Sequence, residues 1–511
     1  MTSTPERESP LVWTPDGQPR SGLFGDVYFS AQDGLAESRA VFLEGCGLPD
    51  AWAGRRRFTV GELGFGTGLN IMALLDLWRR TRPVGGQLHI FSVEAFPVTA
   101  EEAARALGRW PELSDIATLV AARWPGRARG RHRVDLPELG AILDIAVLDV
   151  AEALDGWAGA ADAWFLDGFS PALNPQMWSD EVLALVAARS RPGARAATFT
   201  VAGQVRRGLA AAGFAVDKRP GFGRKRERLE ARWPGEAGDD PAPRRVAILG
   251  AGIAGAAAAR AVRALGGEAV VVEAERPGAG GSGNPAALVT ARLDAGLGEA
   301  ARLFAQAFAR ATHLYGEIDG AVLAEGVLQL AADERDTQRF ARIAAADVFE
   351  PQALEMLGPD AVTARLGEPA PAALDQRTAL AVDPAPILAA WLDAPRIARA
   401  ARLEHDDGGW RVLDGEGAQI LRADAVIVAT GLASRDLVPD LPLSPVRGQA
   451  SWRDSAEPAP AAAWGGYVLP TATGLLFGAT HDRDEEACDV READHRRNLD
   501  LVAGVLPGLA A

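Results

Sequence analysis

Phe58-Thr-Val-Gly-Glu62-Leu-Gly64-Phe65-Gly66-Thr67-Gly68-Leu-Asn70 decides the fold of the first half of this 511-residue chain. A short apolar run closes on three alternate glycines, and an apolar helical stretch, Leu69 to Trp78, follows directly. A second run, Leu88 to Val93, ends at Glu94. Further apolar runs at 142–149 and 163–166, with helical stretches between them, give the strand–helix alternation of a parallel α/β sheet. Glycine permits positive φ and lets backbone approach a ligand closely. No Lys-Ser/Thr follows, so the loop is not a P-loop. Glu94, at the end of the next strand, is placed to accept both hydroxyls of a ribose. Strand, glycine loop, helix, strand and acid together describe a nucleoside cofactor site at the carboxyl edge of the sheet. The spacing departs from the Gly-x-Gly-x-x-Gly of pyrophosphate binders, which favours S-adenosylmethionine (SAM) over NAD. The candidate cofactor residues are Glu62, Gly64, Phe65, Gly66, Thr67, Gly68, Asn70 and Glu94, with Asp149 closing the 142–148 strand and meeting the adenine amino group.

Asp167 follows the next strand, in Asp162-Ala-Trp-Phe-Leu-Asp167-Gly-Phe-Ser-Pro171. Aromatic, carboxylate, glycine and proline at a strand end resemble the amine-facing loop of amino methyltransferases. Methyl transfer from a sulfonium is a direct displacement, so alignment of a neutral amine is the main task. A carboxylate there can orient the amine and take its proton, which makes Asp167 the candidate catalytic residue. The alternative for Asp167 is a helix N-cap.

Near 231–245 the text turns to Pro, Gly, Asp and Arg, the composition of a linker. After it, Arg245-Val-Ala-Ile-Leu-Gly250-Ala-Gly252-Ile253-Ala254-Gly255 restarts a strand and opens an alanine-rich helix through Leu265. Ala269-Val-Val-Val-Glu273 supplies an acid about twenty residues on, the dinucleotide-binding arrangement. Gly250 allows the tight turn, Gly252 the pyrophosphate approach and Gly255 the helix–sheet packing, while Glu273 takes the adenosine ribose. A second small-residue loop, Gly278-Ala-Gly-Gly-Ser282-Gly283-Asn284-Pro, resembles flavin proteins of the D-amino-acid-oxidase and glycine-oxidase type and points to FAD. Ala425-Val-Ile-Val-Ala-Thr-Gly431 is the later strand that such folds use near the cofactor. Two Ala/Pro stretches, 368–373 and 456–463, read as surface loops.

Composition narrows the class. Cys46 and Cys488 are the two cysteines and the six histidines are scattered, so no disulfide framework or metal site is expected. No run of eighteen apolar residues occurs and the first ten residues lack a signal core, so no membrane span is expected and the cytoplasm is the expected compartment. Net charge is −15, distributed unevenly. Residues 1–240 carry 28 basic and 31 acidic side chains, and residues 241–511 carry 25 and 37. Within 189–232 there are 12 basic and 3 acidic side chains, a field that a phosphate backbone would feel. A solvated basic face is the alternative.

The motifs Leu11-Val-Trp-Thr-Pro, Phe24-Gly-Asp-Val-Tyr-Phe-Ser30, Asn174-Pro-Gln-Met-Trp178, Thr198-Phe-Thr-Val-Ala-Gly-Gln-Val-Arg-Arg207 and Gly221-Phe-Gly-Arg-Lys-Arg-Glu227 surround the first loop. Gly326-Val-Leu-Gln-Leu, Val446-Arg-Gly-Gln449 and Gly478-Ala-Thr-His-Asp-Arg-Asp484 lie in the second half. Together they resemble the bifunctional bacterial enzymes of tRNA wobble-uridine 5-methylaminomethyl-2-thiouridine biosynthesis. The resemblance implies an α/β chain in two parts: a Rossmann-like SAM methyltransferase at 1–232, a linker at 233–244, and an FAD-binding Rossmann-type domain with a mixed-sheet substrate subdomain at 245–511. It implies oxidation of a carboxymethylaminomethyl group by the second half and methylation of the freed aminomethyl group by the first. tRNA becomes the expected partner, with Arg206, Arg207, Arg224, Lys225 and Arg226 as phosphate contacts, and a monomer is the favoured state. A small-amine methyltransferase fused to a sarcosine-type oxidase is the competing reading, and a non-catalytic flavin-fold half is a third. The resemblance implies a further segment after Val505-Leu-Pro-Gly-Leu-Ala-Ala511 that closes over the flavin, so weak FAD retention is a further expectation for this chain.

Overall fold

The structure, a computed structural model, describes residues 10–30, 33–223, 225–238, 244–455 and 460–510. It divides into two compact units, Met1–Pro241 and Ala242–Ala511.

The first unit is built on an eight-stranded sheet. Its order is Gly130–Leu136, Ala141–Val147, Gln87–Val93, Arg57–Leu63, Ala161–Leu166, Ser190–Thr198, Glu227–Arg232, Ala215–Pro220. The five strands from Ala141–Val147 to Ser190–Thr198 run parallel, and antiparallel strands close both edges. Arg57–Leu63 is buried at six of its seven positions, and Ala161–Leu166 at all six. Continuous apolar runs of this kind mark strands covered on both faces. One face packs Phe58, Trp78, Ile90 and Leu143 into a core, and the other packs Phe91, Trp157, Trp164 and Val182. Trp157 stacks on Phe91 with ring centroids 4.3 Å apart. This pair packs the loop after Val150–Asp155 against strand Gln87–Val93.

Helix Leu69–Thr81 runs three residues past the apolar periodicity. Arg79 and Arg80 suit its negative C-terminal end, and both reach back to the Asp76 carboxylate, at 3.1 and 2.7 Å. The strand expected at 142–149 is Ala141–Val147. Asp149 therefore does not close a strand; it begins the next helix. Trp233, expected in the linker, belongs to the first unit: its amide donates to Ala194 O at 2.7 Å and its ring meets Phe214 edge-on at 5.0 Å.

The second unit carries a parallel four-stranded sheet, ordered Arg396–Ile397, Glu268–Glu273, Arg245–Leu249, Ala425–Val428, with helix Ile253–Ala264 following its first strand. Its larger sheet is mixed and includes Ala373–Val382, Val322–Leu330, Tyr467–Pro470 and Gly474–Gly478. The 456–463 stretch was expected as a surface loop. Residues 456–459 lie outside the described residues, but Ala462–Ala463 is a buried strand pairing parallel with Leu328 and Gln329. Alanine has little strand propensity, and the pairing is a tertiary outcome that local sequence does not announce. Ala373 likewise starts a buried strand rather than ending a loop.

Candidate cofactor sites of the two units

The first glycine loop leaves strand Arg57–Leu63 at Gly64 and enters helix Leu69–Thr81 at Gly68. Gly66 adopts φ +55°, and a side chain there would run into the Tyr28 ring at 3.1 Å. Glu94 faces this loop. One of its oxygens accepts the Gly66 amide at 2.8 Å and the other accepts the Phe96 amide at 2.9 Å. Burial raises its pKa, while the Phe96 and Gly66 amides oppose that rise. Each carboxylate oxygen has a further lone pair, so the geometry fits a ribose seated on the loop.

Two more carboxyl groups converge on the same edge. Glu62 is fully buried; Ser92 Oγ donates to its Oε2 at 2.6 Å, and its Oε1 is buried with no hydrogen-bond partner. Burial pushes Glu62 up to about 8 and the Asp167 charge adds to the rise, against the Ser92 hydroxyl and the Asn70 side chain. Asp167 ends strand Ala161–Leu166; its Oδ1 accepts the Gly168 amide at 2.8 Å and its Oδ2 accepts Asn70 Nδ2 at 2.7 Å. Burial raises Asp167 to about 6, although the Gly168 and Asn70 donors hold it down. The next helical turn begins only at Pro175, so Asp167 is not a helix N-cap. Asp149, in contrast, is one: it accepts the Ala151 amide at 3.0 Å and caps Val150–Asp155. An adenine amino group would have to meet its other oxygen.

The Phe24–Ser30 motif carries no chemistry that its local sequence announces. Here Asp26 accepts the Ser170 amide at 3.0 Å, Tyr28 lies against Gly66, and Phe24 and Tyr28 meet the Phe169 ring at 5.0 and 5.4 Å. This lead-in spans both the glycine loop and the loop after Asp167. Its Phe-Gly-Asp-x-Tyr-Phe density of aromatics was the available signal.

In the second unit Gly250 adopts φ +101°, and a Cβ there would stand 2.4 Å from the Ala429 carbonyl. A Cβ on Gly255 would collide with Gly250 O, so the first and third glycines hold the loop against the sheet. Glu273 repeats the Glu94 arrangement: one oxygen accepts the Ala251 amide at 2.7 Å and the other the Glu275 amide at 3.0 Å. Ser282 Oγ accepts the Ile253 amide at 3.0 Å, and a Cβ on Gly252 would meet that hydroxyl at 3.1 Å. Ala254 follows in the first helical turn. Gly283 packs under Gly278 O, where a Cβ would fall 2.3 Å away, and Asn284 is exposed beside it. Gly431, at φ +57°, opens the turn after Ala425–Val428. The cradle that a Cβ on Gly252 would fill, the helix start and the strand-end acid fit a dinucleotide.

Of the basic candidates, Arg206 and Arg207 are exposed on helix Gly203–Ala211, and Arg226 is exposed before strand Glu227–Arg232. Lys225 is tied down: its ammonium meets Glu37 at 2.8 Å and lies 4.2 Å above the Phe199 ring. Arg224 lies outside the described residues. A cavity of about 320 Å³ opens there, lined by Phe199, Thr200, Val201, Lys225, Arg226 and Glu227. Among the described residues no cluster of His, Cys, Asp or Glu could hold a metal, and no helix is long and apolar enough to cross a membrane.

These sites define a methyltransferase joined to a flavin oxidoreductase. Residues 111–234 match the family model of S-adenosyl-L-methionine-dependent methyltransferases, and residues 245–511 match that of FAD dependent oxidoreductases. The chain is 60% identical, over 99% of its length and 85% of the relative's, to the tRNA 5-methylaminomethyl-2-thiouridine biosynthesis bifunctional protein of Caulobacter vibrioides. It is 45% identical to the protein of the same name from Maricaulis maris, over 98% of this chain and 83% of that one. Among solved structures, glycine oxidase from Geobacillus kaustophilus is 22% identical with a TM-score of 0.43, covering 52% of this chain and 79% of its own. The chain belongs to the family of bifunctional tRNA 5-methylaminomethyl-2-thiouridine biosynthesis proteins. It is a tRNA-modifying enzyme with two activities, and its cofactors are SAM and FAD.

Proposed function

We propose that the second unit oxidises the carboxymethylaminomethyl group of a wobble uridine and that the first unit methylates the aminomethyl group so released. Bound FAD supplies the two-electron acceptor. The substrate's exocyclic amine loses two electrons and two protons to give an imine on its carboxymethyl side, and water cleaves that imine into the primary amine and glyoxylate. Residues of this chain would hold the dinucleotide: Glu273 toward the ribose, with the Ala251–Gly255 backbone and Ser282 toward the pyrophosphate. In the first unit Glu94 and the glycine-loop backbone would hold SAM, with Asp149 assigned to the adenine edge. Asp167 receives the amine. Its carboxylate, near pKa 6, is ionised at neutral pH, so it orients the nitrogen lone pair toward the sulfonium methyl. Bound SAM would supply the methyl group, and Asp167 or water would take the proton that the amine gives up on methylation.

The observation that carries this reading is Asp167, clamped at both oxygens on the sheet edge that also holds Glu94. Arg206, Arg207, Arg224, Lys225 and Arg226 are assigned to tRNA phosphates in the anticodon arm; the cytoplasm is the compartment and a monomer the working state. Mass spectrometry of wobble nucleosides, after incubation of carboxymethylaminomethyl tRNA with the purified chain and FAD, tests the order. Aminomethyl uridine should accumulate without SAM and convert to the methylaminomethyl form with it; methylation without prior loss of the carboxymethyl group would overturn the order. Arg206→Ala and Arg207→Ala should each lower the log–log salt slope of tRNA binding by roughly one unit per lost phosphate contact, and an unchanged slope would leave them a solvated face.

A further inference from the structure

Asn70 stands between the glycine loop and Asp167. It is the second residue of helix Leu69–Thr81, and its side chain is buried, at 8% exposure. The atom facing Asp167 Oδ2 at 2.7 Å must be the amide nitrogen, because an ionised carboxylate only accepts hydrogen bonds. Among the described residues this is the one side-chain hydrogen bond to Asp167; the other oxygen is held by its own loop, through the Gly168 amide. The two holds differ in kind. Gly168 moves with Asp167, whereas Asn70 ties it to the helix that leaves the cofactor loop.

The charges that face Asp167 leave Asn70 a distinct task. Lys225 lowers the Asp167 pKa and Glu37 raises it, yet these two are paired with each other at 2.8 Å. Glu62, on strand Arg57–Leu63, is fully buried and raised to about 8 mainly by burial, with the Ser92 and Asn70 side chains opposing the rise, so at pH 7 it is neutral and Asn70 stands between this neutral acid and the ionised Asp167. A neutral donor that stabilises the carboxylate without neutralising it is what remains.

We propose that Asn70 is a positioning residue for methyl transfer, its side-chain amide fixing the Asp167 carboxylate in one orientation and leaving the remaining lone pairs for the substrate amine. The proposal rests on Asp167 as the group that receives the amine. It assigns Asn70 a role through Asp167 rather than as a contact to the cofactor.

The test uses the full chain with FAD bound, aminomethyl tRNA and saturating SAM. Asn70→Ala should lower kcat for methylation on the order of 100-fold, the cost of displacing a reacting group by about an ångström. Affinity for S-adenosylhomocysteine, measured by calorimetry, should stay within about threefold. The acid limb of kcat against pH should move up by about one unit, since loss of a donor favours the protonated acid. Added to Asp167→Asn, the Asn70→Ala change should cost little more, because a residue acting through Asp167 has nothing left to position. Should Asn70→Ala fold poorly, Asn70→Ser is read in the same way with a smaller shift. A weakened S-adenosylhomocysteine affinity with unchanged kcat would make Asn70 a cofactor contact and overturn the proposal. So would additive losses in the double variant, or an unmoved acid limb while Asp167→Asn is inactive. Full activity of Asp167→Asn would instead remove the catalytic reading itself, and with it the proposal.

Discussion

The two glycine loops solve one problem in one way and then diverge. Each ends a buried parallel strand, and each faces a glutamate from the neighbouring strand. In each, one carboxylate oxygen accepts a loop amide and the other accepts the amide two residues further on: Gly66 and Phe96 for Glu94, Ala251 and Glu275 for Glu273. What surrounds them differs. The first loop is backed by Glu62, Ser92, Asn70 and Asp167, a set of polar side chains in which two carboxyl groups are raised to about 8 and about 6. The second is backed by glycine, alanine and the hydroxyl of Ser282. The difference follows from where the chemistry lies. A methyl donor brings no base, so the protein must place groups that manage the amine's proton, whereas a flavin carries its own reactive ring and asks the nucleotide loop only for a fixed seat.

The largest expected effect separates the loops by chemistry. Asp167→Asn should lower methyl transfer by about 100-fold or more, with little change in SAM affinity and none in flavin-dependent release of the aminomethyl group. Equal methylation rates in variant and wild type would remove the polar backing of the first loop from the mechanism. Wild-type kcat for methylation should also fall as pH drops through about 6, because protonated Asp167 can neither accept the amine's proton nor orient its lone pair.

A smaller contrast lies inside the second loop. Gly250→Ala forces a Cβ into a carbonyl 2.4 Å away at φ +101°, and should destabilise this unit by on the order of 2 kcal/mol, visible as a lowered Tm. Gly252→Val meets mainly the Ser282 hydroxyl, so it should release FAD while Tm without flavin changes little. If both variants behaved alike, the separate tasks given to the two glycines would collapse.

The smallest effect concerns Glu62. Its folded pKa, about 8, lies above the ordinary carboxyl value of 4.5, so the folded state holds more protons than the unfolded one between those limits. Its contribution is therefore fully present below about pH 4.5 and is lost as pH rises through 8. Glu62→Gln should remove that slope, and its Tm should gain on the wild type as pH rises from 5 to 8, with SAM absent. A parallel pH course for the two proteins would show that Glu62 is ionised in the fold.

Both loops were legible in the sequence because glycine spacing, the preceding apolar run and the acid one strand later are local. Asp167 was legible for the same reason, as a carboxylate at a strand end. What stayed hidden depends on distant pairing. Asn70 and Asp167 are 97 positions apart, and Lys225 and Glu37 are 188 apart, so nothing near either residue marks the contact. The strand before Asp149 ends at Val147 rather than at 148, which makes Asp149 a helix cap instead of a strand end. The Ala462–Ala463 strand is held by its partner Val322–Leu330, since its own side chains give it no preference to extend. The lead-in over the first loop was visible as a motif, yet only the fold brings Asp26 to Ser170 and Tyr28 to Gly66.

The claim that the two strand-end glutamates divide the cofactors between the units is tested most directly by calorimetry on two variants. Glu94→Ala should weaken S-adenosylhomocysteine binding at least about tenfold while FAD content is unchanged, and Glu273→Ala should lose FAD while S-adenosylhomocysteine affinity is unchanged. Loss of both ligands in either variant, or of neither, would contradict the account.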